Sequence, residues 1–425
     1  MPSEETLAVA KQEARSWDRT VDDHAEDLLS DGKEIFRFDT FGSEAFWGDT
    51  LRLHEAIAGA ANGGVGDGVS PRTALAVGLK VDAEALPKKL ERALRRGQVD
   101  LDDPAVTLTL LRLDAVVGVK AITDRRTGAV TSMGLTCALC HSTVDDSFAP
   151  GIGRRLDGWP NRDLNVGVIV SLAPNLEPFE TLLGVDRATL TSVLQSWGPG
   201  HYDAQLNMDG KVFRPDGRPG TTVLPAAFGL AGQNLHTYTG WGGVPYWNAY
   251  VAVTQMRGQG TFYDPRLDDP AKFPLAQVTG AADIRPPVDL VTEKLPALQF
   301  YQLSLPAPKP PRGSFNPWAA ARGETVFSGK AGCARCHVPP LYSEPGWAMH
   351  SGAEIGIDDF QAERSPDGKY RTTPLAGLFT RAKGGFYHDG RFADYGAVVD
   401  HYDQHFGLGL TAGERADLIE FLKSL

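Results

Sequence analysis

Cys137-Ala138-Leu139-Cys140-His141 recurs in the same chain as Cys333-Ala334-Arg335-Cys336-His337. Cys-x-x-Cys-His is the spacing of covalent c-type haem attachment. Two thiols add to the two vinyl groups of one porphyrin, and two intervening residues let both sulfurs reach the same edge. The histidine that follows at once is held under the iron as its proximal ligand. The rival readings of Cys-x-x-Cys are half of a zinc site and a redox-active dithiol. Zinc sites rarely place His directly after the second Cys, and dithiol pairs do not require it. The two copies use all four cysteines of the chain, so no thiol is left for a disulfide. The expectation is two covalently bound c-type haems. Cys137, Cys140 and His141 hold one, and Cys333, Cys336 and His337 hold the other.

The 425 residues allow two or three domains and a sizeable core. Hydrophobic residues make up 42% and charged residues 22%, an ordinary globular composition. The net charge of −11 argues against a nucleic-acid partner, which wants a basic face. It suits a basic protein partner or a plain solvated acidic surface. No apolar run is long enough for a transmembrane segment. Met1-Pro2-Ser3-Glu4-Glu5 is polar and is no secretory leader. Haem attachment of this kind takes place outside the cytoplasmic membrane. The expectation is therefore a mature or trimmed form of an exported, periplasmic protein, with Met1 added for expression.

The chain reads as mainly α-helical, with loops and turns set by 47 glycines and 29 prolines. Residues 1–30 read as an acidic helical arm. Gly32-Lys33-Glu34-Ile35-Phe36 has a counterpart in Gly323-Glu324-Thr325-Val326-Phe327. The second copy stands just before its attachment motif and the first stands far upstream of its own. A helical N-terminal insertion, roughly 55–125, accounts for the difference and shows no ligand chemistry. Asp186 caps a helix that runs to Trp197 and is broken by Gly198-Pro199-Gly200. Residues 222–255 and 372–402 form a weak internal repeat. In it, Tyr238-Thr239-Gly240-Trp241 stands against Phe386-Tyr387-His388-Asp389-Gly390, and Tyr250 to Gln255 against Ala397 to Tyr402. Two related haem domains follow from it. The expected divisions are the arm, a first cytochrome c-like domain over 31–305, a Pro-rich linker over 306–318 and a second such domain over 319–425. Thr411 and Glu414 make a capping box for the last helix, with Leu418, Phe421, Leu422 and Leu425 on one face. That helix is expected to cross the Gly323–Phe327 segment.

These stretches resemble the bacterial di-haem cytochrome c peroxidase/MauG family. The resemblance is carried by Cys333-x-x-Cys336-His337, by Tyr370-Arg371-Thr372-Thr373-Pro374-Leu375, by Phe386-Tyr387-His388-Asp389-Gly390-Arg391-Phe392 and by residues 410–422. It is specific over about residues 320–425 and looser over 125–300. It implies that peroxide or oxygen reacts at the N-terminal haem and that the C-terminal haem receives or stores electrons. A tryptophan between the haems is a further implication. Trp241 is the first candidate, Trp247 is the alternative, and packing alone explains either.

Two departures matter. The peroxidases carry a methionine ligand to the second haem fourteen residues after the His of His-Asp-Gly. Here that position is Tyr402, as in the MauG branch. A phenolate is hard and anionic and stabilises ferric iron, whereas methionine raises the potential. His401 and His405 are the neighbouring alternatives. The family's distal glutamine and glutamate over the first haem are not matched by spacing. Gln255 is the leading candidate beside Thr254, Met256, His201 and His236. A distal amide or carboxylate would help break the O–O bond by moving a proton between peroxide oxygens. An apolar distal side suits oxygen binding, as in the rubber oxygenases. The first reading is thus an enzyme that reduces hydrogen peroxide with electrons from a small soluble cytochrome or cupredoxin. The second is MauG-like or oxygenase-like oxidation of an organic or protein substrate. The third is a di-haem electron carrier without a substrate site. Whether calcium lies between the domains stays open.

Overall fold

The computed structural model describes residues 4–425, with side chains from residue 16 onward. Residues 1–3 of the expected arm lie outside the described residues. The fold is largely helical, with short two-stranded sheets between the helices. No helix among the described residues is long and apolar enough to cross a membrane.

One helix, Glu4–Phe38, runs through residue 30 without a break. Its last turns lie against the helix Leu295–Ser304. Gly32 permits that approach, because a Cβ there would fall on the Ala297 carbonyl. Four residues on, Phe36 meets Tyr301 with ring centroids 5.7 Å apart. The same crossing is built near the C-terminus. A Cβ on Gly323, in the helix Pro317–Ser328, would fall on the Asp417 carbonyl of the helix Ala412–Ser424. Phe327 then meets Phe421 at 5.0 Å. Both helices of the second crossing are well started. Asn316 accepts from the Trp318 and Ala319 amides, and Thr411 and Glu414 form a complete capping box.

Between the first crossing and the first Cys-x-x-Cys-His lie short helices and a hairpin, Val119–Thr123 with Val130–Leu135, which delivers the chain to Cys137. Trp47, Leu53, Leu110, Met133, Leu164 and Leu194 bury together there, and Leu139 of the motif belongs to the same cluster. A second cluster holds Phe36, Trp241, Trp247 and Tyr250, and a third holds Phe327, Leu378, Phe421 and Leu422.

A buried ion triad ties residues 203–220 to residue 364. The Arg364 side chain is 0% exposed, and Asp203 and Asp209 are each 1% exposed. Arg364 Nε donates to Asp209 at 2.7 Å, and Nη2 donates to Asp203 at 2.9 Å. Arg364→Met strands two carboxylates in the interior. The expected loss is about 3–5 kcal/mol of unfolding free energy, read from urea denaturation. Replacing all three residues with apolar ones of similar size is expected to cost far less.

Candidate functional site

Each attachment motif forms part of the wall of its own cavity. Cys137, Cys140 and His141 line the first cavity, and Cys333, Cys336 and His337 line the second. The first motif sits on a short helix, Ala138–His141, and the second on a 3₁₀ turn, Cys333–Arg335. His141 Nδ1 donates to the Pro225 carbonyl at 3.1 Å, and His337 Nδ1 to the Tyr342 carbonyl at 3.0 Å. Those bonds set the tautomer and leave Nε2 as the free nitrogen. Burial lowers both imidazoles, which keeps them in the neutral, ligating form.

The donor set answers the choice between haem and zinc. A structural zinc site needs four N or S donors together. Among the described residues, one cluster has metal-ligand spacing: Cys336, Glu344 and His350. It omits both motif histidines, and Glu344 already accepts from Thr372 at 2.5 Å. Each cavity instead offers the two thiols of its motif, the free Nε2 of the motif histidine and a mainly apolar wall with no Asp or Glu. These features fit haem.

The helix Val244–Tyr250 continues as a π-helical turn, Val251–Gln255. Such turns recur at functional sites. Asn248, Val251, Ala252, Gln255 and Met256 share its cavity-facing stripe at helical spacing, with Trp247 beside them. Thr254 Oγ1 instead donates to the Tyr250 carbonyl at 2.6 Å, and Thr254 does not line the cavity. His201 turns its Nδ1 to the Pro199 carbonyl and lines neither cavity. His236 does line the first cavity. It is 5% exposed, and neither ring nitrogen has a partner. Burial and the Arg371 charge push it down to about 3. Trp241 is buried against Trp247 and Tyr250, and it lines neither cavity.

At the second cavity, Asp394 caps the helix Tyr395–Phe406. Val398, Val399, Tyr402 and Phe406 share its cavity-facing stripe. His401 and His405 lie on the adjacent face, with Nε2 atoms at the Ile355 and Glu354 carbonyls, 2.8 and 3.2 Å away. The structure thus brings Tyr402 to the cavity wall and turns the two histidines to a neighbouring turn. Tyr387 stands beside Tyr402, with ring centroids 6.1 Å apart.

Tyr238, Arg371, Thr373 and Arg381 line both cavities. Sequence reasoning missed their joint position. The internal repeat held a signal, since setting Gly240 against Gly390 sets Tyr238 against His388. Those two rings meet at 6.4 Å, and His388 stacks on Tyr370 at 5.0 Å.

No protein-family model matches the chain. Curated relatives include the methylamine utilization protein MauG of Methylorubrum extorquens. It is 29% identical over 155 residues, which cover 30% of this chain and 42% of that protein. Cytochrome-c peroxidase IdrP1 of a Pseudomonas species is 28% identical over 149 residues, 24% of this chain and 39% of that protein. The chain thus spans less than half the length of these relatives. Among solved structures, hydrazine synthase of Kuenenia stuttgartiensis overlaps with a TM-score of 0.31 at 15% identity, covering 52% of this chain and 86% of that one. A MauG-like protein associated with microbial copper homeostasis gives 0.33 at 20% identity, covering 52% and 79%. Superpositions at these scores do not inform the fold. The chain is thus similar in sequence to proteins of the bacterial di-haem cytochrome c peroxidase/MauG family, and it carries two Cys-x-x-Cys-His motifs.

Proposed function

We propose that the chain is an exported di-haem c-type oxidoreductase that reduces hydrogen peroxide at the first cavity, with electrons entering through the second. The observation that carries this reading is the pairing of each motif with its own mainly apolar cavity, with the motif histidine's Nδ1 held by a backbone carbonyl and its Nε2 free. His141 and His337 would be the proximal ligands, on two cytochrome c-like domains over 31–305 and 319–425. The doubled helix crossing at Gly32 and Gly323 supports that division. A bound haem supplies an iron that binds small oxidants and takes up electrons one at a time.

The chain's own residues do the rest. The carbonyls of Pro225 and Tyr342 orient the two imidazoles. The apolar walls exclude water. Gln255 is the proposed distal residue of the first cavity. Its amide oxygen would accept a hydrogen bond from one peroxide oxygen and its amide NH2 would donate one to the other, which positions the peroxide. Tyr238 and Thr373, at both cavities, belong to the route between them. A small soluble cytochrome or cupredoxin is the proposed donor.

Tyr402 on the second cavity wall favours a second reading, MauG-like oxidation of an organic or protein substrate. The ferric visible spectrum tests the enzyme readings together. A high-spin fraction that binds cyanide, with peroxide-dependent oxidation of a reduced cytochrome, is the expected result. Two purely low-spin haems that refuse cyanide and carbon monoxide would leave only an electron carrier. Peroxide-dependent change in an added organic substrate without cytochrome turnover would select the second reading.

A further inference from the structure

We propose that the wall shared by the two cavities is an anion site that takes one carboxylate from each bound haem and links the two sites electrostatically. The proposal rests on the haem reading above. Arg371 and Arg381 line both cavities, and Arg162 lines the second. Arg381 is 8% exposed and Arg162 is 6% exposed.

Their protein partners are neutral. Arg371 Nε donates to the Thr237 carbonyl at 2.5 Å. Its Nη1 donates to Gln233 Oε1 at 2.6 Å and to the Leu235 carbonyl at 2.9 Å. Arg381 donates to the Pro374 and Ala376 carbonyls, both at 2.6 Å. Arg162 donates to the Lys383 carbonyl at 3.3 Å. The nearby Asp163 carboxylate is taken by Lys80 and Lys383. Nε of Arg162 and Nε of Arg381 are buried with no partner.

Carbonyls orient a guanidinium but do not neutralise it. A buried, uncompensated charge is costly, and these cations also repel one another. Burial together with Arg381 lowers Arg371 to about 9, and burial lowers Arg381 to about 10. Neither cavity wall supplies an Asp or Glu, so the counter-charge must arrive with what the cavities hold. Haem carries two carboxylates on one edge, and guanidinium is the side chain that grips carboxylates in a fork. The same wall does not suit calcium. A hard cation wants carboxylate and carbonyl oxygens, and here it would face two guanidiniums.

The test uses the di-haem protein and reads both reduction potentials by spectroelectrochemistry. Arg371→Gln and Arg381→Gln are each expected to lower both potentials, because a buried positive charge disfavours the oxidised iron of each site. Arg371→Lys keeps the charge and should restore much of the shift. Arg162→Gln should lower the second potential alone, and it keeps the test open if a shared-wall variant fails to fold. Treatment with a calcium chelator should move neither potential. Di-haem variants whose potentials ignore the substitutions would overturn this proposal alone. So would stoichiometric calcium whose removal shifts both sites. Protein that carries no haem would overturn the haem reading, and this one with it.

Discussion

Protein made alongside haem-attachment machinery and then denatured is expected to carry two haems by mass, and Cys137→Ala/Cys140→Ala is expected to carry one. Denaturation removes any group held only by packing, so the surviving mass counts covalent links. The two cavities meet at the wall of Tyr238, Arg371, Thr373 and Arg381, yet each motif lines its own cavity. Losing one link should therefore spare the other. Cys333→Ala/Cys336→Ala is the mirror test, and it should leave the haem at 137–141. Burial pushes Cys137 and Cys140 up to about 12 and Cys333 up to about 11. Thiols so held are poor reagents for disulfide exchange, which proceeds through thiolates. Haem attachment is then expected before the cavities close around the cysteines. One haem in the intact chain, or zinc in place of iron, would end the di-haem reading.

The parts of the fold that sequence could reach are those where a local rule decides the outcome. Thr411 and Glu414 form a capping box by spacing alone, and Asp186 accepts from the Thr189 amide as its position predicts. The Gly323–Phe327 phrase pairs with the terminal helix because glycine permits close approach at 323. The same phrase at Gly32 was legible, but its partner was not. The helix Leu295–Ser304 has no strong caps of its own, and its identity lies in Ala297 and Tyr301, two ordinary helical residues. The site divides in the same way. The ligands of Cys-x-x-Cys-His are contiguous, so one reading finds them. Tyr402 came from the fourteen-residue spacing after His388 that the family resemblance implies. The shared wall draws Tyr238 from before the Pro-rich stretch 306–311 and Arg371 and Arg381 from after it. Only tertiary packing brings them together. Trp241 stood close to Tyr238 in sequence, but a turn at Gly240, with φ of +56°, sends it into the aromatic cluster around Trp247.

Replacing Tyr402 with Phe is expected to abolish the six-coordinate ferric spectrum of the second haem and to raise its potential. Tyr402 lines the second cavity, while His401 and His405 turn to the Ile355 and Glu354 carbonyls. Burial raises the Tyr402 phenol to about 12, so without a cation beside it the oxygen keeps its proton at neutral pH. Tyr387 is raised further still, so Tyr402 is the more acidic of the two neighbours and the one a ferric ion would deprotonate. A phenolate oxygen is hard and anionic and holds iron in its oxidised state. Phenylalanine keeps the ring and most of the packing, so stability should change by less than about 1.5 kcal/mol in urea unfolding. The potential and spectrum should therefore move while the fold does not. Tyr402→Met should go further, with a soft thioether and a higher, peroxidase-like potential. If Tyr402→Phe leaves both spectrum and potential unchanged, tyrosine is not the ligand. His401→Ala and His405→Ala would then be the next variants to measure, and the MauG-like reading would lose the residue that favours it.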